Sequence, residues 1–406
     1  MVNIIEDKTN AEIMADGQQY VMNTYGRLPI AMVKGQGCHI WDADGKEYLD
    51  FVAGVAVNSV GHCHPKVVDA ICTQANKLMH CSNLYWIAPQ VELAKILVEN
   101  SDLDKVFFCN SGAEANEGAI KLARKASKEM HPGQEKYEII TMLKSFHGRT
   151  LATLTATGQD KVKKGYDPLP VGFKYVPYND INALKMAVSD ITCAVMLEPV
   201  QGEGGVIAAD DEYLKAVREF CDENGLLLIF DEVQVGLGRT GKLFAYQHSG
   251  VVPDIITLAK ALGGGAPIGA VMAKDEIAEH FQPGDHATTF GGNPLVTAAG
   301  VAAMTVMLEE NLPEHAAKMG KYMESKFREL KEEYDFIKET RGKGLLLGLN
   351  LDIEGGAIVK SCLEKGLLIN CTAGTVLRFV PPLNVTEADI DQCIDILKQA
   401  LDEVKK

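Results

Sequence analysis

The sequence lacks several patterns that define special classes of protein. Its 406 residues include ten cysteines, but no two of them form a C-x-x-C pair, and no apolar run is long enough to span a bilayer. These absences argue against a disulfide framework, a zinc ribbon and a transmembrane protein. Internal repeats, low-complexity stretches and an obvious linker are missing as well, so nothing indicates a repeat array or a disordered chain.

Positive charge is also scarce. Forty Lys and Arg residues stand against 55 Asp and Glu residues, which gives a formal net charge of -15. That balance argues against nonspecific binding to nucleic acid or to an anionic membrane, so small anionic substrates would need local positive charge. Residues 1–8 are polar and acidic rather than a targeting peptide, and with the scattered thiols they predict a cytoplasmic protein.

The composition that is present is that of an ordinary globular protein, 47% hydrophobic and 23% charged. Helical and strand-like patterns alternate along the chain, which predicts an α/β fold with a mainly parallel sheet. The length suggests two domains. We expect residues 61–296 to form a large domain and residues 297–406 a small one, which residues 1–60 join.

Two apolar runs end in complementary charges: residues 226–230 lead into Asp231, and residues 255–259 lead into Lys260. Such runs predict buried parallel strands, whose carboxyl ends meet at one edge of the sheet. A lysine in a dry pocket can act as an amine nucleophile toward an aldehyde, and an aspartate can keep a pyridine nitrogen protonated. Pyridoxal phosphate needs both roles. Either residue alone is more often a cap, a turn residue or a solvent-exposed lysine.

Ser111, Gly112 and Ala113 stand where a strand candidate passes into an Ala-rich helix. Ser111 and Glu114 have the spacing of a capping box. The free amides and the dipole at such a helix start can bind an anion, for example a phosphate. Taken alone, the pattern is more often that of an ordinary capped helix.

Residues 236–242, with the sequence GLGRTGK, match two nucleotide-binding motifs in part. The Walker motif fails at Leu243, where a Ser or Thr should hold magnesium, and the dinucleotide motif fails because no long amphipathic helix follows. A P-loop or Rossmann enzyme is therefore kept only as an alternative. Residues 62–64, His-Cys-His, are consecutive and cannot easily direct three donors at one ion, so no metal site is predicted.

Phe146 and two arginines are candidates for ligand contacts. Phe146 follows a strand and offers a flat ring for stacking beside Arg149. Arg149 and Arg378 each have the guanidinium geometry that binds a carboxylate with two hydrogen bonds. Each alone is more often a core aromatic or a structural ion-pair partner.

Five motifs stand in order around Lys260: residues 111–117 (SGAEANE), 146–149 (FHGR), 198–203 (EPVQGE), 231–234 (DEVQ) and 288–294 (TTFGGNP). Their order and their spacing from Lys260 resemble those of the class III (ω-amino) aminotransferases, and the resemblance covers nearly the whole chain. Within the class, the likeness is strongest to the members that act on acetylornithine. It is carried by residues 35–37 (GQG), 41–42 (WD), 61–65 (GHCHP) and 82–85 (SNLY).

The resemblance implies a pyridoxal-phosphate protein of fold type I. Its large domain would hold a mainly parallel seven-stranded sheet, its smaller α+β domain would come from both termini, and its homodimer would carry active sites at the interface. Lys260 would form the Schiff base with pyridoxal 5'-phosphate and move the proton, and Asp231 would pair with the ring nitrogen. The other implied cofactor contacts are Ser111, Gly112, Ala113, Phe146, His147, Val233, Gln234 and the partner subunit's Thr289.

The resemblance also implies substrate contacts by Arg149, Arg378, Glu203, Thr288 and Tyr25. Glu203 would pair with Arg378 whenever the reacting carbon bears no carboxylate. The implied reaction is transamination between N2-acetyl-L-ornithine and 2-oxoglutarate, giving N-acetylglutamate 5-semialdehyde and glutamate in arginine biosynthesis. Ornithine, 4-aminobutyrate, succinylornithine and an acylated lysine stay open as donors, and so does a binding or scaffold protein without catalysis.

Overall fold

The computed structural model describes residues 8–405, so most of the acidic amino-terminal octapeptide lies outside the described residues. The helices are, in chain order, α1 (Asn10–Tyr20), α2 (Ala53–Ala56), α3 (Pro65–Ala75), α4 (Ala88–Glu99), α5 (Gly112–Met130), α6 (Leu151–Ala156), α7 (Ile181–Ala187), α8 (Asp211–Asn224), α9 (Asp275–Ala278), α10 (Pro294–Glu309), α11 (Leu312–Glu333), α12 (Gly356–Glu364) and α13 (Glu387–Lys405). Short 3-10 turns occupy Asp160–Val162, Ala245–His248 and Lys260–Gly263.

The strands of the described part of the chain belong to four sheets. In chain order they are β1 (Met32–Gln36), β2 (His39–Asp42), β3 (Glu47–Asp50), β4 (Lys105–Cys109), β5 (Glu138–Met142), β6 (Phe173–Val176), β7 (Thr192–Leu197), β8 (Val200–Gln201), β9 (Ile207–Ala208), β10 (Leu227–Asp231), β11 (Ile255–Leu258), β12 (Gly269–Ala273), β13 (Ile337–Lys343), β14 (Leu346–Leu351), β15 (Leu367–Leu368), β16 (Asn370–Thr372) and β17 (Val376–Phe379).

The largest sheet has seven strands in the order β4-β12-β11-β10-β7-β5-β6. β12 runs antiparallel to both of its neighbours, and the other pairings are parallel. Every residue of β5, β7, β10 and β11 is buried, because helices cover both faces of a parallel sheet. Strands in such a sheet are therefore formed by nearly continuous apolar runs. The predicted α/β fold of type I, with a mainly parallel seven-stranded sheet, is confirmed.

Helix α5 begins directly after β4, as its capping pattern predicts. The Ser111 hydroxyl accepts a hydrogen bond from the Glu114 N–H at 3.2 Å. The Glu114 carboxylate, however, accepts from the backbone N–H and the side-chain amide of Asn110, at 2.5 and 2.8 Å. Glu114 thus reaches past the cap residue, so the predicted reciprocal capping box is formed on the Ser111 side only.

The amino-terminal and carboxy-terminal parts of the chain share one sheet. β3 pairs in parallel with β15, so that Leu49 and Asp50 lie in register with Leu367 and Leu368. A second four-stranded sheet, β13-β14-β17-β16, is antiparallel. One cluster of buried residues nevertheless includes Phe51, Phe230 and Phe379, so the core runs through the large sheet and both ends of the chain. The domain limits at residues 60 and 296 stay a prediction.

No single helix among residues 8–405 is both long and apolar enough to cross a membrane. Helices α10 and α11, which are bent by 62° at their junction, together have the length and composition of a membrane span. In the same part of the chain, no group of three or more His, Cys, Asp or Glu side chains is placed to hold a metal ion.

Candidate active site

A cavity of about 480 Å³ lies at the edge of the large sheet where the parallel strands end. Asp231 is the last residue of β10, and Lys260 follows the neighbouring strand β11 after one residue. The turns after β4, β5 and β7 contribute Ser111, Phe146 and Glu198 to the same lining. Parallel strands bring these distant residues together because all of their carboxyl ends point the same way.

Lys260 opens a short 3-10 turn with φ at +44°, a left-handed conformation that costs a residue other than glycine about 1 kcal/mol. Its amine makes no hydrogen bond to any residue between 8 and 405. Burial lowers the pKa of Lys260 to about 8, Glu203 acts to raise it, and Arg378 acts to lower it. About one amine in ten is therefore neutral at pH 7, which makes Lys260 a usable nucleophile.

Asp231 is 3% exposed and held by three donors. Its Oδ2 accepts from the Asn116 side-chain amide at 2.7 Å and lies 2.8 Å from His147 Nδ1. Its Oδ1 accepts from the Val233 N–H at 3.0 Å. These contacts hold the Asp231 carboxylate at a defined position in the cavity. A carboxylate fixed in this way is suited to a protonated ring nitrogen.

Asn116 is a site residue that the sequence patterns did not single out. It is 1% exposed on α5, and its amide oxygen accepts from the Thr257 hydroxyl at 2.7 Å. Its amide nitrogen donates to Asp231 and also to the His147 carbonyl at 2.7 Å. An amide residue on the buried face of an Ala-rich helix was the available signal, because a buried amide must be hydrogen-bonded.

The start of α5 provides an anion site beside Asp231. The N–H groups of Gly112 and Ala113 have no acceptor in the described part of the chain, and both residues line the cavity. A Cβ on Gly112 would stand 2.7 Å from Val233 Cγ1, so only glycine allows this close approach. Unpaired amides at the positive end of a 19-residue helix fit a phosphate group.

Phe146 and His147 form another part of the wall. The Phe146 N–H donates to Glu198 Oε2 at 3.0 Å, and the Arg149 guanidinium lies 5.5 Å from the centre of the Phe146 ring. Arg149 is exposed at the cavity, where it is free to meet a substrate carboxylate. His147 is buried, and its Nε2 has no hydrogen-bond partner in residues 8–405.

Glu198 is a second residue that sequence reasoning missed, although it belongs to one of the quoted motifs. It is 5% exposed and lines the cavity. Burial, reinforced by the charge of Asp231, raises the pKa of Glu198 well above its usual value. A glutamate followed by proline directly after a buried strand was the signal.

Glu203 and Arg378 form an ion pair next to the cavity. Arg378 is 1% exposed, and its Nη1 lies 2.5 Å from Glu203 Oε1. Arg378 also donates to the Gln234 side-chain oxygen at 3.4 Å and to Asn370 Oδ1 at 3.2 Å. Burial acts to raise the pKa of Glu203, but the charge and hydrogen bond of Arg378 outweigh it and lower that pKa. Glu203 thus stays ionised and occupies the face of Arg378 that a substrate carboxylate would use.

Besides Arg378, which reaches the cavity only through its ion pair with the lining residue Glu203, three predicted contacts do not line the cavity of the single chain. Tyr25 is 71% exposed, and Thr289 is exposed too. Thr288 is closer, since its hydroxyl accepts from the side chain of the cavity residue Asn110 at 3.2 Å. One chain therefore does not bring these three residues to Lys260.

The run of residues 236–242 lies outside the cavity lining. It is followed by the 3-10 turn Ala245–His248 rather than by a long helix. A nucleotide phosphate would need backbone amides at a helix start, and this segment does not provide them. The nucleotide-binding alternative therefore has no support here.

The donor set as a whole matches one cofactor. A free amine, an oriented carboxylate, two unpaired amides at a helix start and an aromatic ring surround a single cavity. These groups correspond to the aldehyde, the ring nitrogen, the phosphate and the ring face of pyridoxal phosphate. The residues present therefore fit that cofactor.

The pKa of Lys260 gives a direct test in the cofactor-free protein. Because only the neutral amine reacts, the rate of reductive methylation at Lys260 should rise with pH through a midpoint of about 8. Glu203→Gln removes the charge that favours the ammonium form, so the midpoint should fall. Arg378→Met should shift it upward. Mass spectrometry of the Lys260 peptide measures the rate, and Glu212→Gln, whose carboxylate pairs with Lys215, is the control. Midpoints that do not respond to either variant would contradict this electrostatic description.

Comparison with known proteins leads to enzymes that transfer amino groups. The family model described as aminotransferase class-III matches residues 20–401. The acetylornithine aminotransferase of Methanocaldococcus jannaschii is 58% identical over 390 residues, which are 96% of this chain and 98% of that protein. The acetylornithine aminotransferase of Caldanaerobacter subterraneus subsp. tengcongensis is 58% identical over 389 residues, again 96% of this chain and 98% of that protein.

Solved structures of aminotransferases have the same fold as this chain. The ornithine aminotransferase from Toxoplasma gondii superimposes with a TM-score of 0.95 at 36% identity, over 99% of this chain and 96% of that one. The acetylornithine aminotransferase from Elizabethkingia anophelis gives a TM-score of 0.86 at 36% identity, over 98% of this chain and 100% of that one. The family match over residues 20–401, the identity of its relatives and the arrangement around Lys260 lead to one conclusion. The chain belongs to the class III aminotransferase family.

Proposed function

We propose that this aminotransferase transfers the free side-chain amino group of N2-acetyl-L-ornithine to 2-oxoglutarate. The products are N-acetylglutamate 5-semialdehyde and glutamate, and the reaction is a step of arginine biosynthesis. The observation that carries the proposal is the Glu203–Arg378 ion pair beside the amine of Lys260, because it suits a site that takes two unlike substrates in turn. The acetylornithine aminotransferases among its relatives, at 49–58% identity, support the choice of donor.

Pyridoxal 5'-phosphate is the cofactor of this family, and it is present at partial occupancy at the active site of the Toxoplasma gondii ornithine aminotransferase structure. When bound, it supplies an aldehyde that takes up an amino group and a ring that withdraws electrons. Ser111, Gly112 and Ala113 would hold its phosphate. Its ring would lie against Phe146 with its nitrogen at Asp231. His147, Val233 and Gln234 would complete the contacts.

Lys260 has two tasks in this proposal. Its amine, with a pKa of about 8, is basic enough to take a proton from the reacting carbon and acidic enough to return it. The lack of any hydrogen bond to the described residues leaves the Nζ free to move between donor and acceptor carbon. Asp231 keeps a fixed position throughout, because three donors hold its carboxylate.

The ion pair of Glu203 and Arg378 would select between the two substrates. Acetylornithine reacts at a carbon without a carboxylate, and an unpaired Arg378 beside that carbon would be an uncompensated buried charge. Glu203 neutralises it. When 2-oxoglutarate binds, its carboxylate replaces Glu203 on Arg378, while Arg149 at the cavity mouth would bind the distal carboxylate.

The donor is the part of the proposal most open to test. Pure protein with pyridoxal phosphate and 2-oxoglutarate should turn over acetylornithine with a kcat/KM at least about tenfold above that for ornithine, 4-aminobutyrate, succinylornithine and N6-acetyl-lysine, the margin that one extra pocket contact supplies. Glutamate release measures the rate. Lys260→Ala should abolish turnover of every donor, because it removes the nucleophile and the proton carrier. Equal rates with ornithine would overturn the acyl assignment.

The ion pair predicts opposite effects in two variants. In Glu203→Ala, the half-reaction with acetylornithine should slow by about tenfold or more, because Arg378 is left unpaired, while the half-reaction with glutamate is unchanged or faster. Arg378→Ala should slow the 2-oxoglutarate half-reaction more than the acetylornithine half-reaction. Stopped-flow absorbance resolves the two halves. If both variants slow both halves equally, the pair is only structural.

We also propose that the protein acts as a homodimer with its sites at the interface. Several large apolar side chains are exposed on the single chain, among them Tyr85 at 69%, Trp86 at 95% and Phe290 at 62%. Their segments adjoin, since the Asn83 side chain donates to the Gly291 carbonyl at 2.9 Å. An exposed apolar surface of this kind supports a protein partner, and Thr289 lies within it. A second copy would bring the partner subunit's Thr289 to the phosphate.

Subunit complementation tests this arrangement. Thr289→Glu places a negative charge against the cofactor phosphate, so alone it should be nearly inactive, as Lys260→Ala is. Isolated mixed dimers of the two variants contain one site with neither change out of two, and should recover about half of the wild-type rate. Co-expression with two affinity tags isolates the mixed dimers. If the mixture stays inactive, Thr289 and Lys260 serve the site of the same chain.

We further propose a cytoplasmic setting. All ten cysteines are free, which agrees with a reducing compartment. The net charge of -15 supports small-molecule substrates rather than nucleic acid or membrane partners.

A further inference from the structure

Arg239, in the glycine-rich run of residues 236–242, joins three distant parts of the chain. It is 1% exposed, and its Nη1 donates to the carbonyls of Leu345 and Pro381 at 3.0 and 2.6 Å. Its Nη2 donates to the Ser59 hydroxyl at 3.1 Å. Within residues 8–405 no carboxylate pairs with it. Burial lowers the pKa of Arg239 to about 9, which still leaves the guanidinium charged at neutral pH.

The glycines of this run serve close backbone packing. A Cβ on Gly238 would stand 2.8 Å from Leu383 Cδ1, and one on Gly241 would stand 2.9 Å from Ala317 Cβ. Both glycines have positive φ, at +86° and +96°. The loop therefore lies tightly between α11 and the segment after β17. This packing explains why the run matches nucleotide motifs without forming a nucleotide site.

Two of the groups that Arg239 holds are attached to walls of the active site. Pro381 follows Arg378 by three residues, at the end of β17. Ser59 follows the cavity residue Val57 by two, and its hydroxyl donates to the Ala56 carbonyl at 3.3 Å. The Leu383 N–H also donates to the Ser59 carbonyl at 2.7 Å, so the two walls are tied to each other next to Arg239.

The wall that carries Val57 needs such support. Residues Ala53–Ala56 all have positive φ, between +48° and +64°, including the β-branched Val55. A left-handed turn of residues other than glycine costs about 1–2 kcal/mol for each of them, and it persists only when its surroundings fix it. Asp50 caps the front of the turn, because its Oδ1 accepts from the N–H groups of Val52 and Ala53. Arg239 and Ser59 fix the end.

We propose that Arg239 is a positioning residue for the substrate side of the site, which holds the Arg378 strand and the Val57 turn at a fixed separation. The inference rests on the proposed binding of 2-oxoglutarate by Arg378. Burying a guanidinium that is paired only with carbonyl and hydroxyl oxygens costs free energy of desolvation. Its several planar N–H donors bind several segments at once, which the single ammonium group of a lysine cannot do. Displacing a substrate-binding group by about 1 Å is enough to cost up to about a hundredfold in rate.

Arg239→Lys tests the inference. The lysine keeps the positive charge but lacks the several N–H donors of the guanidinium. The KM for 2-oxoglutarate should therefore rise about tenfold, with kcat within about twofold of the wild-type value. The dissociation constant of pyridoxal phosphate, from fluorescence titration of the cofactor-free protein, should change less than about twofold because the phosphate and ring contacts lie elsewhere. Arg218→Lys, a half-buried arginine paired with Asp254 at 2.9 Å, is the matched control and should leave the KM unchanged.

Ser59→Ala provides a second, milder test. It removes only the link from Arg239 to the Val57 turn, so the KM for the amine donor should rise about two- to threefold. Ser127→Ala, which also deletes a buried hydroxyl, is its control. If Arg239→Lys lowers the melting temperature but leaves the KM unchanged, Arg239 is only structural. If Arg239→Lys fails to fold, Ser59→Ala decides, and an unchanged KM overturns the proposal. A wild-type protein without transaminase activity would instead overturn the proposed function.

Discussion

The hydrogen-bonded carboxylate of Asp231 is the interaction around which the site is arranged. A charge at the end of a fully buried strand has to be met by donors, and Asn116, His147 and the Val233 amide supply them. Asn116 also accepts from Thr257, whose backbone is in register with Asp231 on the neighbouring strand. One hydrogen-bond network therefore ties α5, with its anion-binding start, to both strands that carry the central residues.

The cavity combines groups whose charges are set by different means. Lys260 has no hydrogen bond to the described residues, and burial lowers its pKa, whereas Glu203 is held ionised by Arg378. Burial next to Asp231 raises the pKa of Glu198. The environment thus shifts the pKa values of three titratable groups in one cavity by different means, which is what acid–base chemistry at neutral pH requires. Because these groups interact electrostatically, a substitution of one of them changes the pKa values of the others.

The residues that hold the substrate side belong to parts of the chain far from Asp231 and Lys260 in sequence. Arg378 comes from the antiparallel sheet near the carboxyl terminus, and Val57 from a left-handed turn near the amino terminus. Arg239 connects both to the loop that follows β10. The side of the site that would bind the cofactor is therefore built on the large sheet, while the opposite side depends on how the terminal segments pack against it.

The sequence by itself determined the strands that lead to Asp231 and Lys260, the helix that starts at Gly112 and the family, because apolar runs and ordered motifs are local signals. Tertiary structure alone decided the rest. Glu114 accepts hydrogen bonds from Asn110 instead of completing its capping box, and Asn116 and Glu198 belong to the site. The glycine-rich run around Arg239 packs between distant segments of the chain and links them by hydrogen bonds. Each of these depends on which distant group supplies a buried donor or acceptor, and sequence spacing carries no record of that.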